Sequence, residues 1–324
     1  MTGAASLAPI VRALGGDLYA GGCRANVPGL GHSPADRSVS LLLAGRRVVV
    51  HCFVGDDWGA VLDDLRRRGL VDRAGCLTGA GGTASASPSS SREPPSRGAR
   101  IAVACRLWSE ARPVPGTLSD QHLARRGVAA PNSDALRHHP GVQAAVYAEA
   151  GPRRPALLAA IQDADGVLQG VEITYLAPNG DRARAPTPRK TIGACPAGAA
   201  VRLARAERRL LVGEGVATCL SAAAIFRLPP WALLSTRNLR GWRPPPGVRA
   251  LLIAADRGAD GERSALLLAA RLRAEGIRTI VRWPPAPHGD WNEAALAMRE
   301  EEAGRGRAGA VDGWSGPPAR SFQP

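Results

Sequence analysis

Aromatic residues are scarce, at 4% of the chain. Alanine, leucine, valine and arginine dominate instead, a bias that matches GC-rich codon usage and carries no functional weight. No apolar run approaches the roughly 20 residues of a membrane span, which excludes helical membrane insertion. Residues 1–10 lack a charged segment followed by an apolar core, so no secretory leader is expected. The cysteines, Cys23, Cys52, Cys76, Cys105, Cys195 and Cys219, are scattered and contain no C-x-x-C pair. That excludes a small disulfide framework and predicts reduced thiols in a soluble, cytoplasmic protein. The phosphate-loop pattern G-x-x-x-x-G-K-[ST] is absent, so no ATP-driven motor is expected.

What the chain does have is length and charge. With 324 residues and 45% hydrophobic content, it can build two or three domains with real cores. Its formal charge is +14, from 42 Lys plus Arg against 28 Asp plus Glu. Nearly all the cations are arginine, whose planar fork suits phosphate oxygens. The charge predicts a polyanionic partner such as nucleic acid; the plainer alternative is arginine replacing lysine on an ordinary solvated surface.

Residues 79–100 hold almost nothing to bury and read as a flexible linker. Before it, within 1–78, Ser38–Leu43 and Arg46–Phe53 form a hairpin around Ala44-Gly45, followed by a helix to about Arg68 capped by Asp56 or Asp57. Trp58, Val61, Leu62 and Leu65 fall on one face of that helix, giving a ββα-like unit in which Trp58 packs in the core. The middle region, 101–204, is α+β. It begins with helical segments Ile101–Ala111 and Leu118–Arg126 and continues with strands Ala156–Gln162 and Val167–Leu176 joined by a turn. The pair His138-His139 reads as solvated loop, and the proline-broken stretch Asp181–Lys190, ending in Arg189 and Lys190, as a loop that is either solvated or in contact with phosphate. The tail, 304–324, is rich in Gly, Pro and Arg and reads as disordered.

Between 205 and 303 strands alternate with helices: strand Arg208–Gly213, helix Val216–Arg227, strands Trp231–Thr236 and Arg249–Ala255, helix Gly261–Glu275, strand Arg278–Trp283, helix Asp290–Glu301. Continuous apolar strands in such alternation predict a parallel sheet covered on both faces, with chemistry beyond the strands' carboxyl ends. Glu214, Asp256 and Asp290 fall there. Converging carboxylates repel unless a hard cation neutralises them, so the pattern implies magnesium. Each also has a local explanation: Glu214 favours the positive end of the next helix, Asp290 with Glu293 has capping-box spacing, and Asp260 is placed to cap a helix.

The sequences V-G-E-G-V-A-T-C-L-S-A (212–222), L-L-S-T-R-N-L (233–239), L-I-A-A-D-R-G-A-D-G-E-R-S-A (252–265) and G-D-W-N-E (289–293) occur in this order. Together they resemble the Toprim domain of bacterial primases and topoisomerases, in the version found in primase-like proteins of plasmids, phages and other mobile elements. The segments L-A-R-R-G-V, Y-L-A-P-N-G and P-R-K-T-I-G also resemble the region preceding Toprim in those proteins. The resemblance implies a Rossmann-like Toprim fold. It implies Glu214 as the glutamate doing acid/base or metal work, Asp256 as the first aspartate of a D-x-D pair binding Mg2+ (or Mn2+), and Asp290 as the later aspartate. The second D-x-D position is Gly258, which has no side chain; Asp260 replaces it only if the loop bends back.

Residues 23–41 and 48–58, with Cys23, His32, His51 and Cys52, are similar to the zinc ribbon preceding Toprim in primases. By that resemblance Cys23, His32 and Cys52 match three ligands for Zn2+, while the fourth is missing near Asp56. Arg24, Arg37, Arg46 and Arg47 would suit the phosphates of single-stranded template, with Phe53 or Trp58 stacking a base. The expected function is primer synthesis from nucleotides on single-stranded DNA, beside a separate replicative helicase. The alternative is a Toprim fold that binds DNA and has lost its chemistry. A strand-passing topoisomerase is disfavoured, since Tyr19, Tyr147 and Tyr175 sit in no evident catalytic setting.

Overall fold

A computed structural model describes residues 5–31, 38–52, 58–78, 95–128, 133–185 and 187–311. The chain divides into two compact units, Met1–Pro94 and Pro95–Pro324.

The first unit contains helix α1 (Ala8–Leu14), strands β1 (Asp17–Tyr19), β2 (Arg24–Val27), β3 (Val39–Ala44) and β4 (Arg47–Cys52), and helix α2 (Trp58–Arg67). The expected hairpin is β3–β4, turning at Gly45 with φ +63°. It is half of a four-stranded antiparallel sheet in the order β1-β2-β3-β4, so the ββα unit is corrected to a larger one. Strands β1 and β2 escaped notice because they are short and rich in glycine neighbours. Alternation on β3 buries Val39, Leu41 and Leu43 against Ile10 of α1 and Val61, Leu62 and Leu65 of α2. Trp58 does not join them: it is 61% exposed, because it sits at the first position of the helix.

The second unit opens with α3 (Arg97–Glu110), β5 (Arg112–Pro113), α4 (Leu118–Arg125), β6 (Leu136–Ala145), β7 (Ala150–Gln162), β8 (Leu168–Tyr175) and β9 (Arg189–Gly193). Helix α3 starts inside the segment read as linker, capped by Ser96, whose hydroxyl accepts from the Ala99 amide at 3.2 Å. The strands form an antiparallel sheet in the order β5-β6-β7-β8-β9. Ala104 and Leu107 of α3 pack on Leu158, Val171 and Ile173 on one face. The supposed loop pair His138-His139 lies in β6 and is buried, at 4% and 5% exposure. Each ring is satisfied: Ser119 Oγ meets His138 Nδ1 at 2.8 Å, and His139 Nε2 faces Glu110 at 3.3 Å. Arg189 and Lys190 likewise belong to strand β9, not to a loop.

Next come β10 (Val201–Arg202), β11 (Arg209–Gly213), α5 (Val216–Phe226), β12 (Pro230–Ala232), α6 (Thr236–Gly241), β13 (Ala250–Ala254), α7 (Ala259–Ala274), β14 (Arg278–Arg282) and α8 (Trp291–Val311). The sheet order is β10-β12-β11-β13-β14, with all neighbours parallel except the edge strand β10. Leu210, Val212, Leu251 and Ile253 face α6 and α7 through Leu239, Leu268 and Leu272. On the opposite face Leu211 packs with Cys219 and Leu220 of α5 and Trp291 and Ala294 of α8. The same cluster holds Leu123 of α4 and Leu157 and Ile161 of β7, so one core runs across position 204/205. The strand expected to reach Thr236 stops at Ala232, because Ser235 caps α6 through the Asn238 amide at 3.2 Å. Helix α8 extends to Val311, into the stretch read as tail.

The G-D-W-N-E segment locks these layers. Trp291 packs edge-on to Phe226 with centroids 5.0 Å apart, and Asn292 Nδ2 donates to Arg126 O at 2.6 Å and Ser221 Oγ at 2.9 Å. Trp291→Ala is expected to lower unfolding stability by about 3–5 kcal/mol in denaturant titration, the usual cost of deleting a buried large aromatic. A loss under about 1 kcal/mol would show that the cluster does not depend on this ring.

Candidate functional site

The turn from β11 to α5 is forced tight. A side chain on Gly213 would lie 2.8 Å from Ala254 O and 2.9 Å from Cys219 Sγ, so only glycine lets β11, β13 and α5 close up. Glu214 follows immediately, one residue before the Gly215 cap of α5. Parallel register pairs Gly213 with Ala254, which puts Asp256 past the end of the adjacent strand. Thr218 favours the charged form of the Asp256 carboxyl, and Asp256 Oδ1 is buried without a hydrogen-bond partner.

The two acids feel each other. Burial, then the charges of Glu214 and Asp290, push the Asp256 carboxyl up to about 7, against the opposing pull of Thr218 and Arg189. Glu214 is also raised, first by burial and then by Asp260 and Glu172, with Arg189 opposing. Adjacent strand ends and mutual repulsion are what a cation-binding carboxylate pair requires.

Asp290 and Asp260 are committed elsewhere in part. Asp290 Oδ1 accepts from the amides of Asn292 and Glu293, both at 2.8 Å, and Glu293 Oε2 accepts from Gly289 N at 2.8 Å. The capping role is therefore realised, although the Asp290 charge still reaches Asp256. Asp260 lies in the first turn of α7, whose N-cap is Gly258, and its Oδ1 accepts from Arg240. Among the described residues, no three His, Cys, Asp or Glu side chains stand ready around one ion.

The middle sheet adds residues that sequence reasoning passed over. His122, Arg126, Glu172, Arg182 and Arg189, with Val216 and Ala217 from the start of α5, line a cavity of about 90 Å3. Burial works first against the Arg126 charge, Asp290 supports it, and Arg182 and Arg189 oppose it. Glu172 lies 3.8 Å from Arg189, and burial raises its carboxyl. A charged residue between Val171 and Ile173 in an alternating strand was the available sign, but alternation alone reads as solvent-facing. Lys190 turns away: it donates to Ala144 O at 2.6 Å, lies over the Tyr175 ring, and burial lowers it to about 8.

In the first unit, His32 and Arg37 fall outside the described residues, as do Phe53 and Asp56. Arg24 is exposed on β2. Cys23 lies level with Leu43, whose amide donates to its carbonyl at 2.8 Å, whereas Cys52 pairs with Val39. Those levels are roughly 13 Å apart along β3, and the two cysteines flank that strand on opposite sides. A single zinc holds thiolates at about 2.3 Å, so this sheet does not bring Cys23 and Cys52 onto one ion.

Residues 209–300 match the family model described as Toprim domain, and the parallel sheet with carboxylates at its strand ends agrees with it: the C-terminal part of this chain is a Toprim domain. Residues 98–203 match a second model, described as Domain of unknown function (DUF7146). Among solved structures, the chain is similar to the Aquifex aeolicus primase comprising zinc-binding and RNA polymerase domains, at 13% identity, covering 92% of this chain and 81% of that one, TM-score 0.41. The primase fragment of the bacteriophage T7 primase-helicase protein gives 15% identity, 56% and 72% coverage and TM-score 0.40. The E. coli primase catalytic core gives 15%, 64%, 77% and 0.41. No curated protein matches the chain.

The raised carboxyl of Asp256 fixes a pH dependence. A carboxyl held at about 7 in the folded chain, against an ordinary 3.8, favours folding while protonated. That contribution is fully present below about pH 4 and is lost as pH rises through 7. In chelator-treated buffer Asp256→Asn is therefore expected to melt higher than the unchanged protein at about pH 8, with the difference vanishing near about pH 4. Parallel melting curves at all pH values would contradict the assignment.

Proposed function

We propose that this chain is a primase-like nucleotidyltransferase that makes primers on single-stranded DNA in the replication of a mobile element. The observation that carries the reading is the meeting of Glu214 and Asp256 at adjacent strand ends of a Toprim domain, beside an arginine-lined cavity. The donor set is all oxygen, and Asp256 Oδ1 is buried without a partner; both fit Mg2+ or Mn2+, which takes one or two carboxylates and keeps its remaining positions for water and phosphate. Glu214 and Asp256 would hold that ion, and its chemistry there is to stabilise charge on the transferring phosphoryl group.

The protein's own residues divide the remaining work. Glu214, whose carboxyl burial pushes up from its ordinary value, is suited to accept the proton of an attacking hydroxyl. Arg126, Arg182 and Arg189 present guanidinium forks to phosphate oxygens. His122 Nδ1 faces Gly180 O at 2.9 Å; a carbonyl only accepts, so the proton sits on Nδ1 and Nε2 is left as an acceptor. The net charge of +14 supports a polyanionic template. Unwinding is assigned to a separate helicase.

Asp256→Asn is expected to reduce template-dependent ribonucleotide incorporation by about a hundredfold or more with the fold intact by circular dichroism. Failure of the unchanged protein to make primer with either magnesium or manganese would remove the catalytic reading. Gly258 favours a second one, an accessory DNA-binding protein. It predicts salt-sensitive DNA affinity that persists when Glu214→Gln and Asp256→Asn are combined.

A further inference from the structure

The helical layer on one face of the Toprim sheet stops short of its last strand. Register sets Leu211 of β11 beside Leu252 of β13, and Leu252 beside Ile280 of β14. Burial falls along that row: Leu211 is buried with the α5 residues, Leu252 is half-buried, and Ile280 is 49% exposed. The other face of β14 is closed, where Val281 packs with Leu268 and Leu272 of α7. Alternation therefore gives the open face of β14 the series Arg278, Ile280, Arg282, all exposed.

The row before it is Arg209, Ala250 and Arg278. A small residue between two arginines leaves a trough of about 320 Å3, lined by Arg209, Leu228, Leu252, Arg278 and Ile280 among others. The arginines of this domain held in ion pairs are Arg240, Arg243 and Arg271. Among the described residues, Arg209, Arg278 and Arg282 have no such partner.

Strand β14 is also an edge of the sheet. Arg278 N donates to Arg249 O at 3.3 Å, and Arg282 O accepts from Ala255 N at 2.9 Å, so the even-numbered residues pair inward. The backbone of Thr279 and Val281 then points outward, and Arg273 Nε takes Thr279 O at 2.9 Å. An edge of this kind accepts an added strand. Side chains on such a strand would stand opposite Arg278, Ile280 and Arg282 in turn, and their complement is acid, apolar, acid at alternate positions. Nucleic acid fits less well. None of the lining residues is aromatic, so a base has no platform to stack on, and the apolar floor offers nothing to a sugar-phosphate chain.

We propose that the open face of β14 and the trough beside it dock an extended acidic segment of a partner protein, in which carboxylates flank an apolar side chain at alternate positions. The arginines supply charge complementarity, and Ile280 with Leu252 and Leu228 supplies the apolar contact. Neither Glu214 nor Asp256 belongs to this surface, so the docking is independent of the metal-binding reading.

The test is fluorescence anisotropy of the full chain with a short fluorescein-labelled peptide in which glutamate and valine alternate. That peptide is expected to bind in low salt, whereas one alternating lysine and valine is not. Arg278→Gln combined with Arg282→Gln is expected to weaken binding about tenfold. The same loss of charge in Arg97→Gln combined with Arg100→Gln, on α3, is expected to leave it unchanged. Ile280→Ser is expected to weaken it about fivefold through lost apolar contact; should circular dichroism show that variant misfolded, Ile280→Thr keeps the β-branch and takes its place. Failure of the acidic peptide to bind, or equal losses from the two arginine pairs, would overturn the proposal. So would a single-stranded oligonucleotide whose affinity falls in the Arg278 and Arg282 variant while that of the acidic peptide does not, since the surface would then serve nucleic acid.

Discussion

The structure depends on holding two like charges where neither water nor a neighbour fully compensates them. Glu214 and Asp256 project from adjacent parallel strands, and burial together with repulsion raises both carboxyls. Such an arrangement is stable only because the layers around it are firm: the Gly213 contact closes β11 on β13 and α5, and Trp291 and Asn292 lock α8 onto α5 and the end of α4. The energy stored in the carboxylate pair is the property that a hard cation relieves.

The middle region, matched to a domain of unknown function, is part of the same core as the Toprim domain. Leu123, Leu157 and Ile161 share a cluster with Leu211, Cys219 and Trp291. This shared packing carries Arg126, Arg182 and Arg189 to the cavity beside α5. Positive groups of the middle region thereby face the acids of the Toprim domain, and Arg189 opposes the rise that burial and neighbouring carboxylates impose on Glu214 and Asp256.

Where sequence and structure part, the causes are local. His138 and His139 look like solvated polar residues in the sequence, but a serine and a glutamate elsewhere in the chain satisfy them in a strand. Trp58 looks like a core residue by helical period, yet it occupies the first turn and is exposed. Cys23 and Cys52 fit a ligand pattern by resemblance, while sheet register separates them. Asp290 reads both as cap and as site acid; it caps α8 while its charge still reaches Asp256.

The alternation of apolar strands and helices, and the acids at strand ends, were legible in the chain itself, because period and position along an element follow from local backbone geometry. So were the Toprim pattern and the gap in it at Gly258. Only the folded chain decided which distant groups join that pattern. Glu172 reaches the cavity on β8, Arg126 from the end of α4 and Arg182 from the segment between β8 and β9, and Arg240 reaches Asp260 through the packing of two helices. Neither relation leaves a periodic trace in sequence, since contacts between elements depend on how layers stack and not on the spacing of residues within them.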